Sequence, residues 1–347
     1  MTPHTGQSAE YILPLRWTED SGLQDLAAYL EHLLTWIPVT VVDGSSPELF
    51  GRHRAAFPAG IRHIRPQQGS SDGNGKVAGV MTGVRAATAE LLVIADDDVR
   101  YTRGSLTAVV SHLESAEIVR PQNYFDPLPW HAWWDTSRTL INRAWSADFP
   151  GTLAVRRSAL LATGGYDPVL FENLELIRTV KAAGGREKIL PDLFVARRPP
   201  KSRHFLKQRT RQAYDNFAQP RRLTVELALL PVIAGTALLP ARHRRAAYLA
   251  LAAAPVLLAE VGRRRHNGTA VFPFRTVWCA PLWMAERAVC MWLALAFRLA
   301  GGVPYAGTRI KTAAHSEAEL QRRHHGKLAK PPRDAKTSIS KPNQEQP

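Results

Sequence analysis

The stretch "ELLVIADDDVRYT", Glu90 to Thr102, decides the fold. Leu91–Ala95 is a compact apolar run containing Val and Ile, and it reads as a short buried strand. The strand runs directly into Asp96, Asp97 and Asp98. Three carboxylates at one sheet edge repel one another, and each resists ionisation unless a cation sits among them. The plain reading is a solvated turn with an aspartate capping the next helix. The sharper reading is a divalent-metal site facing a phosphate-bearing ligand, and the flanking sequence chooses between them.

Upstream, "YILPLRW" (Tyr11–Trp17) reads as a first strand ended by Pro14. "LQDLAAYLEHLLTW" follows with Leu23, Leu26, Leu30 and Leu33 at helical spacing. Val39, Val41 and Val42 then make a strand that stops at Asp43, with Gly44 to Pro47 as its turn. Strand, helix, strand in that order predicts a parallel unit, whose ligands bind beyond the strand C-termini. Asp43 and Asp96–Asp98 fall along that edge. Between them "SSDGNGKVAGVMTGVRAATAE" reads as a Gly-rich loop entering a helix, placing amides and Lys76 to face phosphate. It lacks Walker spacing, and a plain turn accounts for it equally well.

Downstream, four tryptophans (Trp130, Trp133, Trp134, Trp145) fall within sixteen residues. They serve a core, or a surface that stacks on sugars, because indole offers an apolar face and one donor. Trp130, Trp134 and the neighbouring Asp135 are therefore candidates for the acceptor side. "GTLAVRRSALLATGGYDPVLFENLEL" reads as strand, helix, Gly-Gly turn and a helix carrying Glu172 and Glu175. One turn apart, both acids are expected on the same side. An acidic first turn favoured by the helix dipole is the bland alternative.

The 347-residue chain carries a net charge of +15, unevenly spread. Residues 1–195 hold 18 Lys+Arg against 22 Asp+Glu, whereas residues 196–347 hold 27 against 8. The basic excess surrounds apolar segments in "ARHRRAA" and "GRRRHNG" and fills the tail, which fits an anionic cytoplasmic leaflet better than nucleic acid. Leu223–Pro240 and Ala246–Ala259 are short for spans and suggest a hairpin, and Thr276–Leu299 reads as an interfacial amphipathic helix. Cys279 and Cys290 lie eleven apart in one apolar stretch, without metal-ligand spacing. The N-terminus lacks a basic start and an apolar core, so no cleaved signal peptide is read. The expected organisation is a catalytic domain over 1–220 on the cytoplasmic side of the cell membrane, a membrane-associated helical region over 221–305, and a basic, disordered tail over 306–347.

In this order the pieces resemble a membrane-associated family-2 glycosyltransferase of GT-A fold over about residues 9–215. "VVDGSSP", "GNGKVAGVMTGVRAATAELLVIADDDV", "GGYDPVLFENLEL" and "QRTRQ" are similar to four of its motifs. The resemblance implies an α/β, Rossmann-like domain and an inverting, metal-assisted transfer of sugar from a nucleotide-diphosphate sugar to a hydroxyl of a lipid-linked or cell-envelope glycan. It implies that Pro14, Asp43, Lys76, Asp96, Asp97, Gln208 and Arg211 contact the donor, that Asp96 and Asp98 hold Mg²⁺ or Mn²⁺, and that Glu172 or Glu175 takes the acceptor proton. Hard cations favour such oxygen ligands.

Three positions depart from the pattern. Glu172-Asn173 stands where Glu-Asp is usual, Thr82 where asparagine is common, and Gln212 where the last motif has tryptophan. An amide cannot accept a proton at neutral pH. Asn173 therefore moves the base elsewhere, or makes the chain a catalytically silent membrane-bound sugar-nucleotide binder or scaffold.

Overall fold

The computed structural model describes residues 8–67, 74–305 and 307–325. Residues 1–7, 68–73, 306 and 326–347, including part of the expected Gly-rich loop and most of the expected tail, lie outside the described residues.

Eight strands form one sheet: β1 (Ala9–Leu15), β2 (Val39–Asp43), β3 (Arg62–Ile64), β4 (Leu91–Ala95), β5 (Val99–Arg100), β6 (Ile118–Phe125), β7 (Thr152–Arg156) and β8 (Glu187–Arg197). Their order is β3-β2-β1-β4-β7-β6-β8-β5. β3, β2, β1 and β4 are parallel, β7 runs against both β4 and β6, and β8 is parallel to β6. Every residue of β2 and β4 is buried, the pattern of strands covered on both faces.

Helices α1 (Leu23–Leu34), α2 (Pro47–Ala56), α3 (Gly75–Ala86), α4 (Arg103–Ser111), α5 (Trp130–Trp145), α6 (Arg157–Ala162) and α7 (Glu172–Ala182) flank the sheet. The α1 leucines at 26, 30 and 33 reach one core with Tyr11, Leu13 and Leu15. Val77, Val80, Met81 and Val84 of α3 form the opposite core with Ile12, Leu92 and Ile94. Alternation along β1 thus sends Ile12 to one face and Tyr11 and Leu13 to the other. Because β2 lies on one side of β1 and β4 on the other, the crevice of the switch point opens at the C-terminal ends of these strands.

The C-terminal third is α8 (Ser202–Tyr214), α9 (Pro220–Thr236), α10 (Ala241–Arg264), α11 (Ala280–Leu299), strands β9 (Val303–Tyr305) and β10 (Thr308–Ile310), and α12 (Glu317–His324). It corrects the expected division at 220. Leu170, Leu174, Ala213 and Tyr214 share one core with Met291, Ala294, Val303 and Ile310. Helix α11 packs on α8, α9 and α5, so it belongs to the folded body and is not a free interfacial helix. Part of the expected tail is also ordered: β9 and β10 pair, Thr312 and Ala313 carbonyls accept from Leu170 and Phe171, and α12 packs on α7. Apolar residues at Val303, Ile310, Ala313 and Leu320 supply the burial that a merely basic tail lacks.

Candidate active site

Three strands, β1, β2 and β4, end on one edge of the sheet, β7 begins there, and β6 and β8 end there. Asp96 N–H donates to the Gly151 carbonyl at 2.9 Å, joining the acidic turn to the start of β7. A Cβ on Gly151 would meet Asp96 Oδ2 at 2.7 Å and Arg197 Cζ at 3.0 Å, so a side chain there would push both of these groups aside.

Two protein cations sit among the carboxylates. Lys76 Nζ lies 2.5 Å from Asp96 Oδ1 and 2.5 Å from Glu172 Oε1. Burial opposes the ammonium charge, but Asp96 and Glu172 outweigh it and hold Lys76 well above the ordinary lysine pKa. Arg197, at the end of β8, places Nη2 2.6 Å from Asp98 Oδ2 and 3.8 Å from Asp96 Oδ2. Its Nε is 3.1 Å from both Asp98 oxygens. Asp97 turns aside and accepts from the Trp17 indole. Burial and the Asp98 charge push the Asp97 carboxyl up to about 6, against the Trp17 bond. Oxygen-only donors crowded on one tight turn suit a hard divalent cation, and Asp96 and Asp98 are the residues that would hold it.

Asp43 ends β2 as expected, but it is fully buried. Its Oδ1 accepts from Ser45 N–H at 2.9 Å, and Oδ2 lies 2.6 Å from His53 Nδ1 and 3.1 Å from His63 Nε2. Burial opposes ionisation, yet the bonds from His63, Ser45 and His53 hold the carboxyl below the usual range. Asp43 is sealed beneath the strand edge and offers no exposed acceptor. Pro14 packs under α3, 3.3 Å from where a Gly79 Cβ would lie.

Glu172 and Glu175 do not share a side. Glu172 faces Lys76 and accepts from Asn74 Nδ2 at 3.3 Å. Glu175 is fully buried, with Oε2 accepting from His315 N–H at 2.8 Å and Oε1 2.7 Å from His315 Nδ1. It pins the C-terminal strap to α7, which corrects its expected role as a base. Asn173 Nδ2 donates to the Pro150 carbonyl at 3.1 Å, beside Gly151.

Residues 24–174 match the family model described as glycosyl transferase family 2. Over these residues the chain is similar to the family 2 glycosyl transferases. A comparison with curated proteins finds no match. Among solved structures, a mannosyltransferase from Pyrobaculum calidifontis, in complex with GDP-Man and Mn²⁺, is 19% identical with a TM-score of 0.46, over 84% of this chain and 88% of that one. A glucosyl-3-phosphoglycerate synthase from Mycobacterium tuberculosis, in complex with Mn²⁺, UDP and glucosyl-3-phosphoglycerate, is 16% identical with a TM-score of 0.42, over 60% and 78%. A mannosyl-3-phosphoglycerate synthase from Rubrobacter xylanophilus is 14% identical with a TM-score of 0.41, over 59% and 71%.

Beyond the matched residues, α8 also faces the acidic site. His204, Gln208, Arg211 and Asp215 recur at steps of four, three and four, which puts them on one helix face. Gln208 contacts His204. The Arg211 guanidinium stands 5.3 Å from the centroid of the Tyr305 ring, and Tyr305 OH donates to Asn74 Oδ1 at 3.1 Å. Since Asn74 also bonds Glu172, this chain of contacts ties α8 to the acidic site.

On α5, Trp130 is 55% exposed and its ring meets Phe205 edge-on, open to a ligand. Trp134 packs partly buried with Leu140, Phe272 and Trp283. Asp135 is buried, its Oδ1 accepting from Arg209 Nη2 at 3.1 Å and Arg138 Nε at 3.3 Å. Burial opposes its charge, but Arg138 and Arg209 hold it below the usual range. Asp135 therefore knits α5 to α8 and is not free for an acceptor, a second correction.

Four residues escaped the sequence reading: Trp17, Arg197, Asp215 and Tyr305. Trp17 follows the buried β1 at the ligand edge, the signal that already marked Asp43 and Asp96, whereas Arg197 ends the half-exposed β8, which carries no such signal. Asp215 was detectable as four residues beyond Arg211. Tyr305 arrives from a strand far along the chain, and no local pattern announces it.

Proposed function

We propose that this chain is an inverting transferase moving a sugar from a nucleoside-diphosphate sugar to a hydroxyl of a lipid-linked or cell-envelope glycan, at the cytoplasmic face of a membrane. The observation that carries the reading is the interleaving of Lys76 and Arg197 with Asp96, Asp98 and Glu172 at the sheet's ligand edge. Such a site presents positive charge to a diphosphate while keeping oxygen ligands for a divalent cation.

When bound, Mg²⁺ or Mn²⁺ would neutralise charge developing on the leaving diphosphate. Lys76 holds its ammonium in place between Asp96 and Glu172, already oriented toward that oxygen cluster. Arg211 sits across the cleft on Tyr305 and supports the same group. Asp97 and Trp17 close the nucleoside side, and Trp130 offers an apolar face to a sugar or lipid.

Membrane association is supported by Ala241–Ala270 and Phe274–Leu299, each long and apolar enough to cross a bilayer by length and composition. The second also touches α8 and α5, and its Arg287 is 1% exposed. A helix held in the protein body cannot at once be surrounded by lipid. The hairpin of α9 and α10 is therefore read as lying on the membrane surface, with Leu238 (88% exposed) and Leu249 (71% exposed) toward lipid and Arg242, Arg244 and Arg245 at headgroup level.

The test is calorimetry of UDP and GDP binding with and without Mn²⁺. The wild type should bind one of them in a metal-dependent manner, and Asp98→Asn should lose that dependence while melting as the wild type does. Equal binding by Asp98→Asn would return the acidic triplet to a simple turn.

A further inference from the structure

The acids that the sequence offers for the acceptor proton are each held by other groups. Glu172 is engaged through Oε1 by Lys76 at 2.5 Å and through Oε2 by Asn74 at 3.3 Å. Glu175 is sealed against His315, Asp135 against Arg138 and Arg209, and position 173 is an amide. A base needs a lone pair free to meet the acceptor hydroxyl.

Asp215 has one. It is partly exposed, and its carboxylate accepts no hydrogen bond and makes no ion pair among the described residues. It follows α8 on the face that carries Arg211, which is tied through Tyr305 and Asn74 to Glu172. Its neighbours Tyr214 and Asn216 point into the protein instead, Tyr214 OH donating to the Lys311 carbonyl at 2.8 Å and Asn216 contacting Glu226. The charges facing Asp215 come from four elements: Arg211 on α8, Glu172 on α7, Arg287 on α11 and Arg138 on α5.

We propose that Asp215 is the catalytic base of the glycosyl transfer, taking the role that Asn173 cannot fill. The assignment rests on the transferase reading above. In the step, the acceptor hydroxyl gives its proton to an Asp215 carboxylate oxygen as its own oxygen bonds to the anomeric carbon. The bond from that carbon to the diphosphate oxygen breaks, and its electron pair leaves with the diphosphate beside Lys76. Burial pushes the Asp215 carboxyl up to about 7 against the pull of Arg211, which suits a base working near neutral pH.

The experiment uses the full chain with UDP-glucose and GDP-mannose plus Mn²⁺, with water and a detergent-solubilised membrane lipid extract as acceptors. Nucleoside-diphosphate release is the rate, and calorimetry of UDP and GDP the binding readout. Asp215→Asn should lower turnover by about 10²–10⁴-fold and leave nucleotide binding within about twofold. It should melt no lower than the wild type at pH 8, because it removes a charge that the fold disfavours there. Wild-type kcat/KM should fall tenfold per pH unit below the base pKa, and the variant should lose that limb. Asp215→Ala should recover turnover with added formate, a rescue that a structural role would not show. Near-wild-type turnover by Asp215→Asn, or a low-pH limb that disappears in Glu172→Gln instead, overturns the assignment. A wild type that binds nucleotide but turns over neither donor overturns it while leaving the nucleotide site intact. A wild type that binds no nucleotide removes the transferase reading itself.

Discussion

Lys76 and Arg197 do opposite things to the acidic turn. Lys76 has two carboxylates within 2.5 Å, and losing it would leave Asp96 and Glu172 uncompensated. Lys76→Met should cost about 1.5–3 kcal/mol, the range for bonds to charged groups, and weaken UDP or GDP binding at least about tenfold. Denaturant unfolding and calorimetry check the two parts separately. Arg197 instead occupies Asp98 oxygens that a divalent cation would also use. Arg197→Gln should therefore tighten Mn²⁺ binding in the absence of nucleotide, read by the electron paramagnetic resonance of free Mn²⁺. Weaker binding by the variant would mean that Arg197 supports the site and does not compete for it.

Among the elements, α10 shows how a helix with basic ends is anchored. Gly262 lies so close to α5 that an added Cβ would come within 1.8 Å of the Leu140 carbonyl oxygen. Beside it, the buried Arg143 of α5 donates to the carbonyls of Gly262 at 3.3 Å, Pro191 at 2.7 Å and Arg265 at 2.7 Å. One side chain thereby joins α5, β8 and the end of α10. Gly262→Ala should destabilise the protein by at least the roughly 1–3 kcal/mol of an overpacked contact, since backbone cannot swing aside as a side chain can. An unchanged melting temperature would show that α10 is not clamped there. The free half of α10 is the part left for lipid. Replacing Arg242, Arg244 and Arg245 by alanine should weaken binding to phosphatidylglycerol vesicles by about a hundredfold, at about 1 kcal/mol per basic residue. Neutral vesicles should bind both forms equally.

The whole molecule titrates as its buried carboxylates dictate. Asp43 and Asp135 are held below the usual carboxylate range, so below the ordinary aspartate pKa of about 3.9 the unfolded chain binds more protons than the folded one. Their contribution is complete above that pH and drains away as pH falls below it. Asp135→Asn should flatten the acid side of a melting-temperature profile while leaving Arg138 and Arg209 short of an anion and the protein less stable at pH 7. The shared core of α7, α8 and α11 makes a second demand. A chain cut after Gln219 would expose Leu170, Leu174, Ala213 and Tyr214, so it should bind hydrophobic dye and fail to melt cooperatively. A soluble, cooperatively melting fragment would restore the boundary at 220.

Read alone, the sequence determined whatever depends on neighbours in the chain. Leu91–Ala95 had to be buried, Asp43 and Asp96–Asp98 had to end strands at one edge, and α1 had to turn Leu26, Leu30 and Leu33 inward, because alternation and helical spacing are local properties. Lys76 was legible too, since a loop entering a helix points its first residues at the same edge. Tertiary structure decided the partners. Glu172 and Glu175 looked equivalent at one turn's spacing until Lys76 took one and His315, 140 residues away, took the other. Asp135 looked free until Arg209 reached it from α8. Asp215 was not singled out in the sequence, and only the packing around it shows that its carboxylate has no hydrogen bond or ion pair among the described residues. A carboxylate's chemistry is set by the charges and donors within a few ångströms, and in this fold most of those come from chain segments far away in sequence.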